Sequence, residues 1–200
     1  MNRLVGMGPG SLRYVTMEAV DRIKSADRVI AFGRIAKTAA EIRADIHIAD
    51  KVEKVADMLA EEADNVILAS GDPCFYGILD FLSNKGIRID EVVPGISSMQ
   101  YMMAKLKKSW QDSVLASFHG READLMGVRN GRTAVILADS SHSPGYISGL
   151  LSTNGIKGRI YAGFNLSYED ELIVEKEIGE DIESVSNLAL VVIENEMDQG

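Results

Sequence analysis

The sequence predicts an α/β protein of two unlike lobes, the first built on a mainly parallel sheet and the second on a mixed sheet. Three observations carry that reading. Short, nearly continuous apolar runs recur along the 200 residues: RLVGM at 3–7, RVIAF at 28–32, NVILAS at 65–70, TAVILA at 133–138 and LALVVI at 188–193. Strands of that composition are buried on both faces, which is how parallel sheets sit between layers of helices. Amphipathic segments separate the runs. One late segment behaves differently: Leu172, Val174 and Ile178 alternate with Glu171, Glu175 and Glu177. Period-two alternation marks a half-exposed antiparallel strand.

In chain order, RLVGM opens the first sheet, and Thr16 is placed to N-cap a helix carrying Met17, Val20 and Ile23. RVIAF follows as the next strand. Val52, Val55, Ala56, Leu59, Ala60 and Ala63 recur at the spacing of one helical face, and NVILAS then returns as a strand. The helical stretch ISSMQYMMAKLKK gives way near 105–112 to SWQD and a new strand, SVLASF. That change places a boundary between lobes 1–110 and 111–200, each near the small end of domain size.

Composition narrows the function. With 46% hydrophobic and 26% charged residues, the chain has the make-up of an ordinary globular protein able to bury a core. No apolar run approaches a membrane span and no secretory leader precedes the first strand, so a cytoplasmic location is expected. The single cysteine, Cys74, excludes an intramolecular disulfide, and no His/Cys spacing of a metal centre is present, so no metal is expected. The net charge of −9 is uneven. Residues 1–110 carry 15 basic and 15 acidic side chains, whereas 111–200 carry 6 and 15. From Glu169 to Asp198 eleven acidic groups face one Lys176, which repels a phosphate backbone and argues against a nucleic-acid partner.

Several loops after strands could carry chemistry. GMGPG at 6–10 lacks the third glycine of a dinucleotide fingerprint, since Ser11 stands there, and Pro9 interrupts the turn. SGDPCFYG at 70–77 exposes main-chain groups where open α/β sheets bind ligands. In it Asp72 suits a ribose hydroxyl, an amine or the cap of a helix starting near Phe75. VPGISS at 93–98 repeats the arrangement with Ser97 and Ser98, which also suit N-caps. Three such loops following strands of one sheet converge along one edge, which favours a polar small-molecule cleft. SFHGR at 117–121 sets His119 and Arg121 beside Gly120, a modest functional signal. FNLSYEDE at 164–171 reads as an ordinary polar connection.

Taken in order, GMGPG, SGDPCFYG, VPGISS, WQD with SFHGR, and NLSYED resemble the tetrapyrrole methylase family over nearly the whole chain. The last two resemble its cobalt-precorrin-7 C5-methyltransferase branch. The resemblance implies two unlike α/β lobes with S-adenosylmethionine held in the cleft between them, usually in a homodimer. It puts Pro9, Gly71, Asp72, Phe75, Ser97 and Ser98 against the cofactor, with second-lobe contacts near Ala138, Leu166 and Leu188. Cys74 stands where a small residue such as glycine is expected, and it is read as a buried, unreactive thiol. The resemblance implies a cobalt-corrinoid substrate, and a separate C15-methyltransferase/decarboxylase as a possible partner, because the chain ends at Gly200. Other family acceptors, an earlier precorrin or a diphthamide precursor, and a non-enzymatic nucleotide-ligand module are the alternatives.

Methyl transfer from a sulfonium is an in-line displacement by an already activated group, so orientation and exclusion of water matter more than a strong base, and no catalytic residue is assigned. A substrate rich in carboxylates needs a locally basic mouth on a protein of net charge −9. Arg13, His119 and Arg121 are the candidates, Arg121 foremost because arginine grips carboxylates bidentately. Arg34, Lys105, Lys107 and Lys108 are further possibilities, the lysines reading better as a solvated helix face.

Overall fold

A computed structural model describes residues 1–60, 62–118 and 125–196. The chain divides into two units, Met1–Ser98 and Met99–Gly200. That division falls one helix before the composition change at 110.

The first unit holds a five-stranded sheet of β1 (Asn2–Gly6), β2 (Arg28–Phe32), β3 (Ile46–Ala49), β4 (Asn65–Ala69) and β5 (Glu91–Val93). Their order is β3-β2-β4-β1-β5 and every pairing is parallel. Adjacent residues on one strand feed opposite faces. Val5, Val29, Ala31, Val66, Leu68 and Val93 pack with Ala19 and Ile23 on one side. Leu4, Ile30 and Ile67 pack with Val55 and Leu82 on the other. This two-sided burial is why the runs read as continuous rather than alternating.

Helices α1 (Met17–Ser25), α2 (Gly33–Ala40), α3 (Val55–Met58) and α4 (Leu79–Asn84) connect these strands. The Thr16 hydroxyl accepts the Ala19 N–H at 3.1 Å, so the predicted cap of α1 is present. Its buried residues are Ala19 and Ile23, while Met17 is 84% exposed. The long helix expected over 52–63 is corrected: a 3-10 turn at Val52–Lys54 leads into α3, which ends at Met58, and Leu59 is already extended. The cause lies outside the segment. Buried Asn65 takes both sides of Ala60, accepting its N–H at 3.1 Å and donating to its carbonyl at 2.9 Å. Those bonds replace the helical partners Ala60 would need.

The second unit begins with α5 (Ser98–Leu106), whose first residue closes the first unit, and continues through β6 (Val114–Ser117), α6 (Leu125–Asn130), β7 (Thr133–Leu137), α7 (Pro144–Thr153), β8 (Gly158–Phe164), β9 (Leu172–Glu177) and β10 (Ala189–Asn195). The strand order is β6-β7-β10-β8-β9, with β6–β7 parallel and the other pairs antiparallel. The second sheet is thus mixed, and the alternating segment is its antiparallel edge strand β9. On one face of this sheet Val128, Ile136, Ile147, Leu151, Ile160, Phe164 and Val191 pack into a core, and Val135, Leu190 and Val192 are buried as well. Among the described residues no helix is long and apolar enough to cross a membrane.

Candidate functional site

In the first unit β4, β1 and β5 are neighbours and parallel, so the loops after them leave one edge of the sheet side by side. Gly8 and Gly71 join the first two through paired main-chain bonds, 3.2 Å from Gly8 N–H to Gly71 O and 2.8 Å in return. Asp72 joins the loop after β4 to the loop after β5. Its Oδ1 accepts the Cys74 N–H at 2.8 Å, and its Oδ2 accepts the Gly95 N–H at 3.1 Å. A Cβ on Gly95 would stand 2.2 Å from the Gly71 carbonyl oxygen, and one on Gly6 2.6 Å from the Gly95 nitrogen. Only bare backbone fits where the loops meet.

The candidates on these loops therefore come together. Pro9 is buried, Ser97 is 2% exposed, and Gly71, Asp72, Phe75 and Ser98 are half-buried. Gly71 has φ +65°, a left-handed conformation suited to glycine, and a Cβ there would meet nothing closer than Ser97 Cα at 3.6 Å. The loop edge thus offers main-chain groups, small hydroxyls and approachable backbone, a donor set that fits a polar nucleoside-like ligand. Asp72 caps no helix at Phe75, since α4 starts only at Leu79; it clasps two loops instead. Cys74 is exposed, which corrects the expectation of a buried thiol. Desolvation, then the carboxylates of Asp72 and Asp80, push its thiol up and keep it protonated.

The second-unit candidates also share one end of their sheet. The Ala138 N–H bonds the Ala189 carbonyl at 3.1 Å and the Asn165 N–H bonds the Leu188 carbonyl at 3.0 Å, so the ends of β7 and β8 meet the start of β10. Ala138 is 1% exposed, Leu166 5% and Leu188 43%. The segment read as an ordinary connection is a built loop. Asn165 and Ser167 are left-handed, at φ 45° and 70°. The Asn165 amide donates to Asp170 Oδ2 at 2.7 Å and its oxygen accepts the Ser186 hydroxyl at 2.6 Å. Glu171 Oε2 accepts the Ser167 N–H at 2.6 Å, and Oε1 pairs with Lys105 at 3.0 Å.

Burial pushes the Tyr101 hydroxyl up to about 12, and its hydrogen bond to Glu171 adds to this. Desolvation would raise Glu171, but hydrogen bonds from Tyr101, Ser167 and Lys105 outweigh it and hold the carboxyl low.

The basic candidates divide. Arg13 is exposed on the 3-10 turn after the first loop, with its N–H capped by the Ser11 hydroxyl. Arg34 is exposed on α2. Lys105 and Lys108 are engaged by Glu171 and Glu194, and Lys107 sits left-handed at φ 57° where α5 ends. Those two are structural cations rather than a solvated face. His119 and Arg121 lie outside the described residues.

Sequence reasoning passed over Asp139 and His142, in the loop between β7 and α7, whose side chains meet at 2.9 Å. The signal was an acid three residues before a histidine, directly after a buried strand.

The sequence profile described as Tetrapyrrole (Corrin/Porphyrin) Methylases matches residues 3–180. A probable cobalt-precorrin-7 C(5)-methyltransferase of Methanocaldococcus jannaschii is 31% identical over 196 residues, covering 88% of this chain and 89% of that protein. The cobalt-precorrin-7 C(5)-methyltransferase of Salmonella typhimurium is 32% identical over 178 residues, covering 86% and 89%. Among solved structures, uroporphyrin-III C-methyltransferase from Thermus thermophilus complexed with S-adenosylhomocysteine has the same fold, with a TM-score of 0.76, 23% identity and 96% coverage of both chains.

Proposed function

The chain belongs to the tetrapyrrole (corrin/porphyrin) methylase family and is a methyltransferase of cobalamin biosynthesis, and we propose that it transfers a methyl group from S-adenosylmethionine to C5 of cobalt-precorrin-7. The observation that carries the choice of acceptor is identity above 30% along nearly the full length of two C5-methyltransferases.

When bound, S-adenosylmethionine supplies a methyl group activated by its sulfonium. In this reading the first unit's loop edge holds that cofactor, with Pro9, Gly71, Phe75, Ser97 and Ser98 as its contacts. Asp72 fixes the loops, and its carboxylate oxygens retain lone pairs for a cofactor hydroxyl or amine. Ala138, Leu166 and Leu188 are the second unit's proposed contacts. Holding the reacting carbon in line and excluding water account for most of the acceleration. Arg13, with His119 and Arg121 on the sequence argument, is assigned to the substrate carboxylates. A homodimer in the cytoplasm, with a separate C15 enzyme as partner, completes the proposal.

The test has two parts. Calorimetric titration with S-adenosylhomocysteine should show saturable binding; its absence sinks the cofactor assignment. Purified protein supplied with S-adenosylmethionine and cobalt-precorrin-7, cobalt-precorrin-4 or uroporphyrinogen III in parallel should methylate the first. Turnover of another acceptor alone overturns the C5 assignment.

A further inference from the structure

The loop after β7 holds a histidine–carboxylate pair that the cofactor assignment leaves unused. Asp139 Oδ1 accepts the main-chain N–H of Ser141 at 2.9 Å and of His142 at 2.7 Å, and the same oxygen lies 2.9 Å from His142 Nδ1. The two amides already lock the turn into α7, whose first turn is capped separately by the Ser143 hydroxyl on the Tyr146 N–H. A contact to the imidazole is therefore more than the turn requires.

Desolvation would raise the Asp139 carboxyl, but hydrogen bonds from the His142 ring and the two amides outweigh it and hold the group below its ordinary range. An ionised carboxylate only accepts, so the shared proton sits on Nδ1, and in the neutral imidazole it is Nε2 that carries the lone pair. Among the described residues Nε2 has no hydrogen-bond partner.

The ring is also fixed in orientation. Phe118, just after β6, stacks on it at 4.4 Å and 12°, and Tyr146 of α7 meets it edge-on at 5.3 Å and 73°. The imidazole side chain remains 31% exposed. Asp139 directly follows Ala138, a proposed cofactor contact. An oriented, partly open imidazole backed by a carboxylate, its Nε2 without a partner among the described residues, is the arrangement of a general base.

We propose that His142 removes the proton from the carbon that is methylated, with Asp139 as its positioning residue. The proposal rests on the C5-methyltransferase reading. C5 is a meso carbon bearing one hydrogen. As the C5–CH3 bond forms, the S–CH3 bond breaks and its electron pair stays on sulfur. The carbon is then tetrahedral and must lose its hydrogen to regain conjugation. Breaking C5–H returns that electron pair to the macrocycle, and the proton passes to Nε2. S-adenosylhomocysteine, the methylated corrinoid and a protonated His142 balance the step.

The test compares wild type with His142→Gln, His142→Ala and Asp139→Asn, using cobalt-precorrin-7 turnover, calorimetry with S-adenosylhomocysteine and thermal melting. The expected result is a fall in kcat of tenfold or more, on the order of 100-fold for the His142 variants, with KM and cofactor affinity within about twofold of wild type. Added imidazole should restore part of the His142→Ala rate. Asp139→Asn should lower kcat less than His142→Ala does. A kcat loss below tenfold in His142→Gln, cofactor affinity falling in step with kcat, or no rescue by imidazole each overturns the base assignment and leaves a packing role. Wild type that turns over a different acceptor instead overturns the C5 reading first, a result visible before any variant is made.

Discussion

Asp72 shows how one side chain turns adjacent loops into a site. Each carboxylate oxygen takes one main-chain N–H, Cys74 on its own loop and Gly95 on the next. Asp72→Asn keeps the shape but replaces one acceptor by a donor facing an N–H. S-adenosylhomocysteine affinity should fall by about 1–3 kcal/mol, the cost of a lost bond to a charged group. Calorimetry beside a melting curve checks this; a lowered Tm with unchanged Kd would assign Asp72 to stability alone. Gly95→Ala tests the close approach itself. Its Cβ would sit 2.2 Å from the Gly71 carbonyl oxygen and 3.0 Å from Gly6 Cα, so backbone must move. We expect a stability loss of more than about 2 kcal/mol in denaturant melts, together with loss of cofactor binding. Unaltered melting would show that the loops separate easily.

At the level of elements, α5 is tied to the β8–β9 loop by the Tyr101–Lys105–Glu171 cluster. The folded Glu171 carboxyl is held below its ordinary value of 4.5, so its contribution is present above that pH and is lost as pH falls through the lowered folded value. Lys105 is held above its ordinary 10.5 by Glu171 and Tyr101, so its share is complete below 10.5 and lost only at higher pH. Both signs agree on a plateau at neutral pH. Glu171→Gln should therefore lower Tm at pH 7, and the gap to wild type should close as pH drops below about 4.5. A gap independent of pH would mean that the variant acts through packing. The same loop explains a misreading: its polar composition resembles any surface connection, whereas Asn165 and Ser167 in left-handed conformations and the Ser186 contact make it a fixed support for Leu166.

For the whole chain, a net charge of −9 opposes a polycarboxylate substrate at long range. Local basic groups must overcome this at the site of entry. If Arg13 and Arg121 do so, raising ionic strength should screen the attraction and increase KM for cobalt-precorrin-7, while S-adenosylhomocysteine affinity changes little. Arg121→Ala should raise KM by an amount equivalent to about 1.5–3 kcal/mol in kcat/KM and flatten the salt dependence. A KM that falls with added salt would show that bulk repulsion dominates and that these arginines serve elsewhere.

The sequence alone determined β1, β2, β4, β7 and β10 as buried strands, β6, the antiparallel strand at Leu172–Glu177 and the capped helix at Thr16, because side-chain periodicity and turn chemistry are local properties; it gave no sign of β3 at Ile46–Ala49. It also placed the loops after β1, β4 and β5, since Gly, Pro, Asp and Ser report local backbone needs. What it could not fix was every relation between distant residues. Asn65 ends a helix by seizing Ala60, Asp72 reaches Gly95 across 23 positions, and Phe118 of one strand end stacks on His142 after another. Those contacts depend on which strands lie side by side. That order is set by how whole faces pack, so only the tertiary structure decided it.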